Sequence, residues 1–184
     1  MSLANKITIV RILLIPFFVT CLIYYSPETD FLRFIALVIF AISTLTDAVD
    51  GYIARKYYQK TRLGTFLDPI ADKLLILSGF VSLSIIAALP QEFKIPPWVI
   101  IIVISRDIFI ILGSVIIHMI TGKLDISPST LGKLTTALQM LTVIAVLLQF
   151  KYSYCLWIAA AFFTALSGIG YLIRANRILN ESQQ

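Results

Sequence analysis

Long apolar stretches alternate with short polar breaks from one end of the chain to the other. The pattern predicts six membrane-crossing helices, over residues 7–26, 32–54, 65–89, 97–120, 132–150 and 154–176. A helix needs about 20 mostly apolar residues to cross a hydrocarbon core, and only helices or closed barrels satisfy their backbone polar groups there. The breaks carry turn residues and charge: SPETD before the second stretch, ARKYYQKTR before the third, LPQEFKIPP before the fourth, TGKLDISPS before the fifth and KYSY before the sixth. The expected fold class is an all-α integral membrane protein, a six-transmembrane-helix bundle with a short N-terminal interfacial segment. It forms a single membrane domain over residues 1–184.

Composition strengthens this reading. The chain is 59% hydrophobic and 14% charged, with a mean hydropathy of +0.92, far above the balance of a soluble domain. The start, MSLANKITIVRILLIPFFV, resembles a signal peptide in having a lysine before an apolar stretch. It has no small-residue cleavage site, Arg11 interrupts the stretch and further spans follow, so it is expected to be a retained first segment. Cys21 and Cys155 stand far apart in apolar surroundings and are read as packing residues.

Charge then sets orientation. With six spans both termini share one side, which also receives Lys6, Arg55, Lys56, Lys60, Arg62, Lys123, Lys133, Arg174 and Arg177. The opposite side receives Arg33, Lys94 and Lys151 together with Glu28, Asp30 and Glu92. The excess of basic residues places both termini in the cytoplasm. The net charge of +5 is therefore read as topology and attraction to membrane lipids with anionic headgroups, with no nucleic acid expected.

Four of the ten acidic residues gather in one place. In TDAVDGYIARKYYQKTRLGTFLDPIADK, Asp47 and Asp50 are three residues apart and Asp68 and Asp72 four apart, so each pair shares one helix face. Both pairs fall at cytoplasmic ends of their helices. Four neighbouring carboxylates near a low-dielectric core repel one another and lose hydration, so a cation must compensate them. Hard oxygen ligands favour Mg²⁺, Mn²⁺ or Ca²⁺. Gly51, Ala54 and Gly64 remove bulk beside the acids, and Arg55 offers a planar fork suited to phosphate. Together these describe a diphosphate site. Plainer roles exist for several of them: Thr65 and Asp68 as a capping box, Gly51 and Ala54 as helix-packing residues, and Arg55 to Arg62 as a topology-setting loop.

The pattern D-x2-D-G-x2-A-R-x8-G-x3-D-x3-D, running from Asp47 through Gly51, Ala54, Arg55 and Gly64 to Asp72, resembles the signature of the CDP-alcohol phosphatidyltransferase family at all eight positions. The resemblance implies an enzyme with two divalent ions, Mg²⁺ or Mn²⁺, that moves a phosphatidyl group from CDP-diacylglycerol to an alcohol and releases CMP. It implies that Asp47, Asp50, Asp68 and Asp72 ligate the metals and that Asp72 is also the catalytic base. Asp47, Gly51, Ala54, Arg55 and Gly64 would meet the CDP-diacylglycerol donor. A homodimer in the inner, cytoplasmic membrane, with its active site facing the cytoplasm, is also expected.

Three further features bear on the acceptor. The start SLANKITIVRILLIP is similar to that of bacterial phosphatidylglycerophosphate synthases within the family, with Asn5, Thr8 and Arg11 at matching places. The segment from Asn5 to Arg11 is expected to be an interfacial turn, in which Thr8 is otherwise an ordinary helix residue and Arg11 a snorkelling one. Arg106 and Asp107 fall inside the fourth span, point about 100° apart and need not pair with each other. Arg106 matches the position that meets the acceptor's phosphate, and Lys133 and Thr136 in TLGKLTTALQ resemble the Gly-Lys-x-Lys-Thr stretch of those synthases. Thr135 stands where the second lysine is usual, and Asp107 where glutamate is. Two acceptors stay open: glycerol 3-phosphate, and phosphatidylglycerol as in the related cardiolipin synthases. His118 is given no role. A prenyltransferase would place its aspartate motifs in different halves of a longer chain, and a cation transporter would leave Arg55 and Arg106 unexplained.

Overall fold

The computed structural model describes residues 3–56, 62–121 and 130–181, with side chains over 8–46, 70–113, 119, 130–174 and 176. Six α-helices succeed one another among these residues: α1 (Leu3–Ile23), α2 (Phe31–Lys56), α3 (Arg62–Ile85), α4 (Pro97–Thr121), α5 (Thr130–Leu147) and α6 (Ser153–Glu181). Short 3-10 turns at Pro27–Thr29 and Gln91–Phe93 precede α2 and α4. Each apolar stretch predicted from the sequence coincides with one helix. Among the described residues, Gln91–Gly113, Thr130–Leu147 and Ser153–Arg174 are long and apolar enough to cross a membrane, and shorter apolar stretches cover Thr8–Ile23 and Phe31–Thr46. Large apolar side chains such as Phe17, Ile101 and Ile173 are about two-thirds exposed, an arrangement suited to lipid and not to water. The chain is a multi-pass membrane protein.

Three local details differ from the sequence expectation. Asn5 to Arg11 is not a turn; it is the opening of α1, continuous from Leu3. The capping box proposed for Thr65 and Asp68 does not arise, because α3 begins three residues earlier at Arg62 and Thr65 lies inside it. Pro69 is consequently an interior helix residue that supplies no amide hydrogen to the carbonyl four positions back. The third helix also stops at Ile85 and not Leu89; at Leu89 itself, Pro90 disfavours helical backbone.

The described chain groups into two compact units. The first comprises Met1–Ile95 and Val143–Ser153. Within it α1 packs against both α2 and α3, and α2 touches α3. Its core joins Phe18 and Leu22 to Phe40, Leu75, Phe80 and Val146, all buried, and the rings of Phe18 and Phe40 lie 5.6 Å apart. At Gly79 a Cβ would stand 3.1 Å from a methyl of Val143, so glycine permits that close approach. The end of α5 closes with Gln149 at a φ of 51°. There Phe150 N–H donates to Ala145 O and Gln149 N–H to Val146 O, the paired bonds of a left-handed helix stop. Buried Arg33 donates to Leu147 O at the same end, a cation meeting the negative pole of a helix.

The second unit comprises Pro96–Thr142 and Tyr154–Gln184. Polar side chains fasten its helices. Gln139 Nε2 on α5 donates to Thr164 Oγ1 on α6 at 3.1 Å, and Trp98 on α4 meets Trp157 on α6 edge-on with ring centroids 5.7 Å apart. In lipid the hydrophobic effect gives helices no reason to associate, so close packing and such hydrogen bonds hold them together.

Candidate active site

Asp47, Asp50, Gly51, Ala54 and Arg55 lie on α2, and Gly64, Asp68 and Asp72 on α3. These two helices are in contact. The helical rise separates Asp47 from Asp50 by about 4.5 Å along the axis and Asp68 from Asp72 by about 6 Å, so each pair stays on one face. Of the eight motif residues, the side chain of Asp72 is described; the other seven lie outside the described side chains. His118 also lies outside them.

Asp72 is half-buried and takes a hydrogen bond from Arg11. Arg11 Nη1 stands 2.6 Å from Asp72 Oδ1, with the arginine side chain 1% exposed and the aspartate 24%. Arg11 therefore does not snorkel to the interface. Its guanidinium is enclosed where α1 meets α3, and Thr8, one turn earlier on the same face, is fully buried. No local spacing in the sequence joins these two charges. The available signal was a lone arginine within the first apolar stretch, which needs a counter-charge at similar depth.

The donor set suits divalent ions. Four carboxylates on two touching helices offer only hard oxygen ligands, the chemistry that selects Mg²⁺ or Mn²⁺ over softer metals. Arg11 supplies a single positive charge beside one of them. Among the described residues no group of three or more His, Cys, Asp or Glu side chains assembles; Asp47, Asp50 and Asp68 lie outside the described side chains.

The second unit holds the residues expected at the acceptor. Arg106 sits on α4 with its side chain 11% exposed. Its Nη1 lies 2.7 Å from Asp107 Oδ1 and its Nη2 3.1 Å from Ser167 Oγ on α6. These adjacent residues do pair, because a guanidinium on a three-carbon stem is long enough to bend across the 100° between their positions. The stem also lies against Gly168, where a Cβ would be 3.4 Å from Arg106 Cγ. Nε of Arg106 is buried without a hydrogen-bond partner.

Lys133 is exposed and Thr136 half-buried on α5, with Thr136 Oγ1 donating to Gly132 O at 3.1 Å. Thr135 is different. It is fully buried, and its hydroxyl reaches Leu131 O at 2.8 Å and Phe163 O of α6 at 3.2 Å. The residue that replaces the second lysine thus seals a helix contact.

A helical membrane protein carrying this aspartate motif over two touching helices defines a class, and residues 1–166 match the family described as CDP-alcohol phosphatidyltransferase. The chain belongs to that family and is a transferase of phospholipid biosynthesis. Among its relatives is the CDP-diacylglycerol–glycerol-3-phosphate 3-phosphatidyltransferase of Bacillus subtilis (strain 168), 35% identical over 190 residues that cover 92% of this chain and 93% of the relative. Proteins with the same description from Haemophilus influenzae and Escherichia coli (strain K12) are 36% and 33% identical. They align with 89% and 95% of this chain, and with 83% and 94% of their own lengths.

Proposed function

We propose that this enzyme transfers the phosphatidyl group of CDP-diacylglycerol to glycerol 3-phosphate, giving phosphatidylglycerophosphate and CMP. One observation carries the choice of acceptor: near-full-length relatives from three bacteria are all described by glycerol 3-phosphate. The motif on α2 and α3 supports the reaction type.

In this reading Asp47, Asp50, Asp68 and Asp72 hold two Mg²⁺ or Mn²⁺ ions. Bound there, the ions supply Lewis-acid neutralisation of the diphosphate and of charge growing on departing CMP. Asp72 accepts the proton of the acceptor hydroxyl as its oxygen bonds to the phosphatidyl phosphorus and the phosphorus–oxygen bond to CMP breaks. Gly51, Ala54 and Gly64 let the cytidine diphosphate come close to the backbone, and Arg55 engages its phosphate. Arg106, Lys133 and Thr136 are assigned to the acceptor's phosphate.

An apolar groove of about 470 Å³ is lined by Ile12 and Val19 of α1 and by Leu74, Leu77 and Val81 of α3, among others. It suits an acyl chain of the lipid donor. The remaining assignments are one membrane domain with six spans, both termini and the active site at the cytoplasmic face of the inner membrane, and a homodimer.

Purified protein supplied with CDP-diacylglycerol, Mg²⁺ and each acceptor in turn provides the test. CMP release with glycerol 3-phosphate, abolished by chelation, is expected; release with phosphatidylglycerol alone would make the protein a cardiolipin synthase.

A further inference from the structure

The ion pair between Arg11 and Asp72 ties α1 to the carboxylate on which the proposed chemistry depends. We propose that Arg11 is a positioning residue for phosphatidyl transfer, holding the Asp72 carboxylate in the orientation from which it takes the acceptor's proton. The inference rests on the assignment of Asp72 as base. It adds the first helix to a site that the aspartate motif confines to α2 and α3.

The geometry supplies the reason. A base must come within about 2.6–3.2 Å of the atom whose proton it removes, and the terminal torsion of an aspartate is broad. A half-buried carboxylate needs a partner to hold one setting. The 2.6 Å contact from Arg11 Nη1 to Asp72 Oδ1 is a short, charge-assisted bond of the strong kind.

Arg11 is itself fixed. Its side chain is 1% exposed, Thr8 on the same helix face is fully buried, and α1 packs on both α2 and α3. The guanidinium therefore cannot follow the carboxylate if it swings.

A purely architectural purpose is a poorer fit. Replacing a buried ion pair with apolar residues of similar volume is often neutral or stabilising. Enclosing a guanidinium away from water carries a desolvation cost. Its position against the last aspartate of the motif gives that cost a function.

Four variants of the full chain in detergent micelles or nanodiscs test this: Arg11→Ala, Arg11→Lys, Asp72→Asn and Arg11→Ala with Asp72→Asn. CMP release gives kcat and KM for both substrates, and equilibrium binding of CDP-diacylglycerol gives a readout independent of turnover. Arg11→Ala is expected to lower kcat about 10- to 100-fold, the scale of losing an orienting partner, with both KM values and donor binding little changed. Arg11→Lys should recover much of the loss, because the observed contact uses one N–H. Asp72→Asn should lower kcat strongly and retain donor binding, and adding Arg11→Ala to it should cost no more, the non-additivity of two residues acting as a unit.

An equal fractional loss in both backgrounds would show that Arg11 acts without Asp72 and would overturn the proposal. So would unchanged kcat in Arg11→Ala, or an effect confined to donor KM. Should Arg11→Ala fail to fold, Arg11→Lys and the double variant carry the comparison, since the double variant removes both charges of the pair. Near-normal turnover in Asp72→Asn is a separate result: it removes Asp72 as base whatever Arg11 does.

Discussion

Arg106 shows how a single charge is made tolerable within α4. Two terminal nitrogens are taken up by Asp107 and Ser167 while Nε stays buried without a partner. In the proposed function this arginine meets the phosphate of glycerol 3-phosphate. Arg106→Ala is expected to raise the KM for glycerol 3-phosphate about tenfold or more, the loss of one charge-assisted contact, with little change in donor KM; steady-state kinetics with each substrate varied would check this. In the polar break before α2, Asp30 receives two contacts of 2.7 Å from Arg33. The Arg33 hydrogen bond holds the Asp30 carboxyl below its ordinary value of 3.8, outweighing the opposing effect of burial. A carboxyl depressed in the folded state stabilises fully above its unfolded value, and that contribution disappears as pH falls through the folded one. Thermal melts between pH 6 and 3 should therefore show a modest loss toward the acid end that Asp30→Asn lacks. Because Asp30 is 42% exposed, solvent screening keeps the effect small.

At the scale of elements, the instructive contact is that of α5 with α6. A lysine at position 135 reads from the sequence as a lost acceptor cation, yet Thr135 is fully buried and bonded to Phe163 O. Thr135→Lys would force an ammonium into that helix contact. It should lower stability by at least about 2 kcal/mol, the scale of an uncompensated buried polar group, and should not lower the KM for glycerol 3-phosphate. Melting of the detergent-solubilised variant and acceptor kinetics decide the matter; a lower KM at unchanged stability would place position 135 at the acceptor. Periodicity located α5 and α6 without difficulty, because an apolar stretch of span length has few alternatives. It could not say which threonine of TLGKLTTALQ faces the neighbour, since that depends on the rotation of one helix against another.

For the whole molecule, orientation is the property most open to test. In the proposed orientation, drawn from the distribution of basic residues, the break before α5 is cytoplasmic and the break before α4 lies outside. Glu92 and Thr130 are exposed representatives of the two. With Cys21 and Cys155 replaced, Glu92→Cys should react with a membrane-impermeant maleimide in intact spheroplasts, and Thr130→Cys only after permeabilisation. The reverse pattern would invert the protein and move the aspartate motif to the outer face.

The sequence by itself determined the helical membrane class, the number and approximate limits of the helices, and the aspartate motif. Apolar length and residue spacing are local properties, written directly into the chain, and the family followed from eight positions within one continuous stretch. The tertiary structure decided which charges meet. Arg11 and Asp72 are sixty-one positions apart, and so are Arg106 and Ser167; no local spacing could have joined either pair. It also decided that Thr135 is sealed against α6 and that Asn5 to Arg11 is helix. Such outcomes depend on how helices rotate and pack, where each buried polar group must find its partner among whatever the neighbouring helix presents.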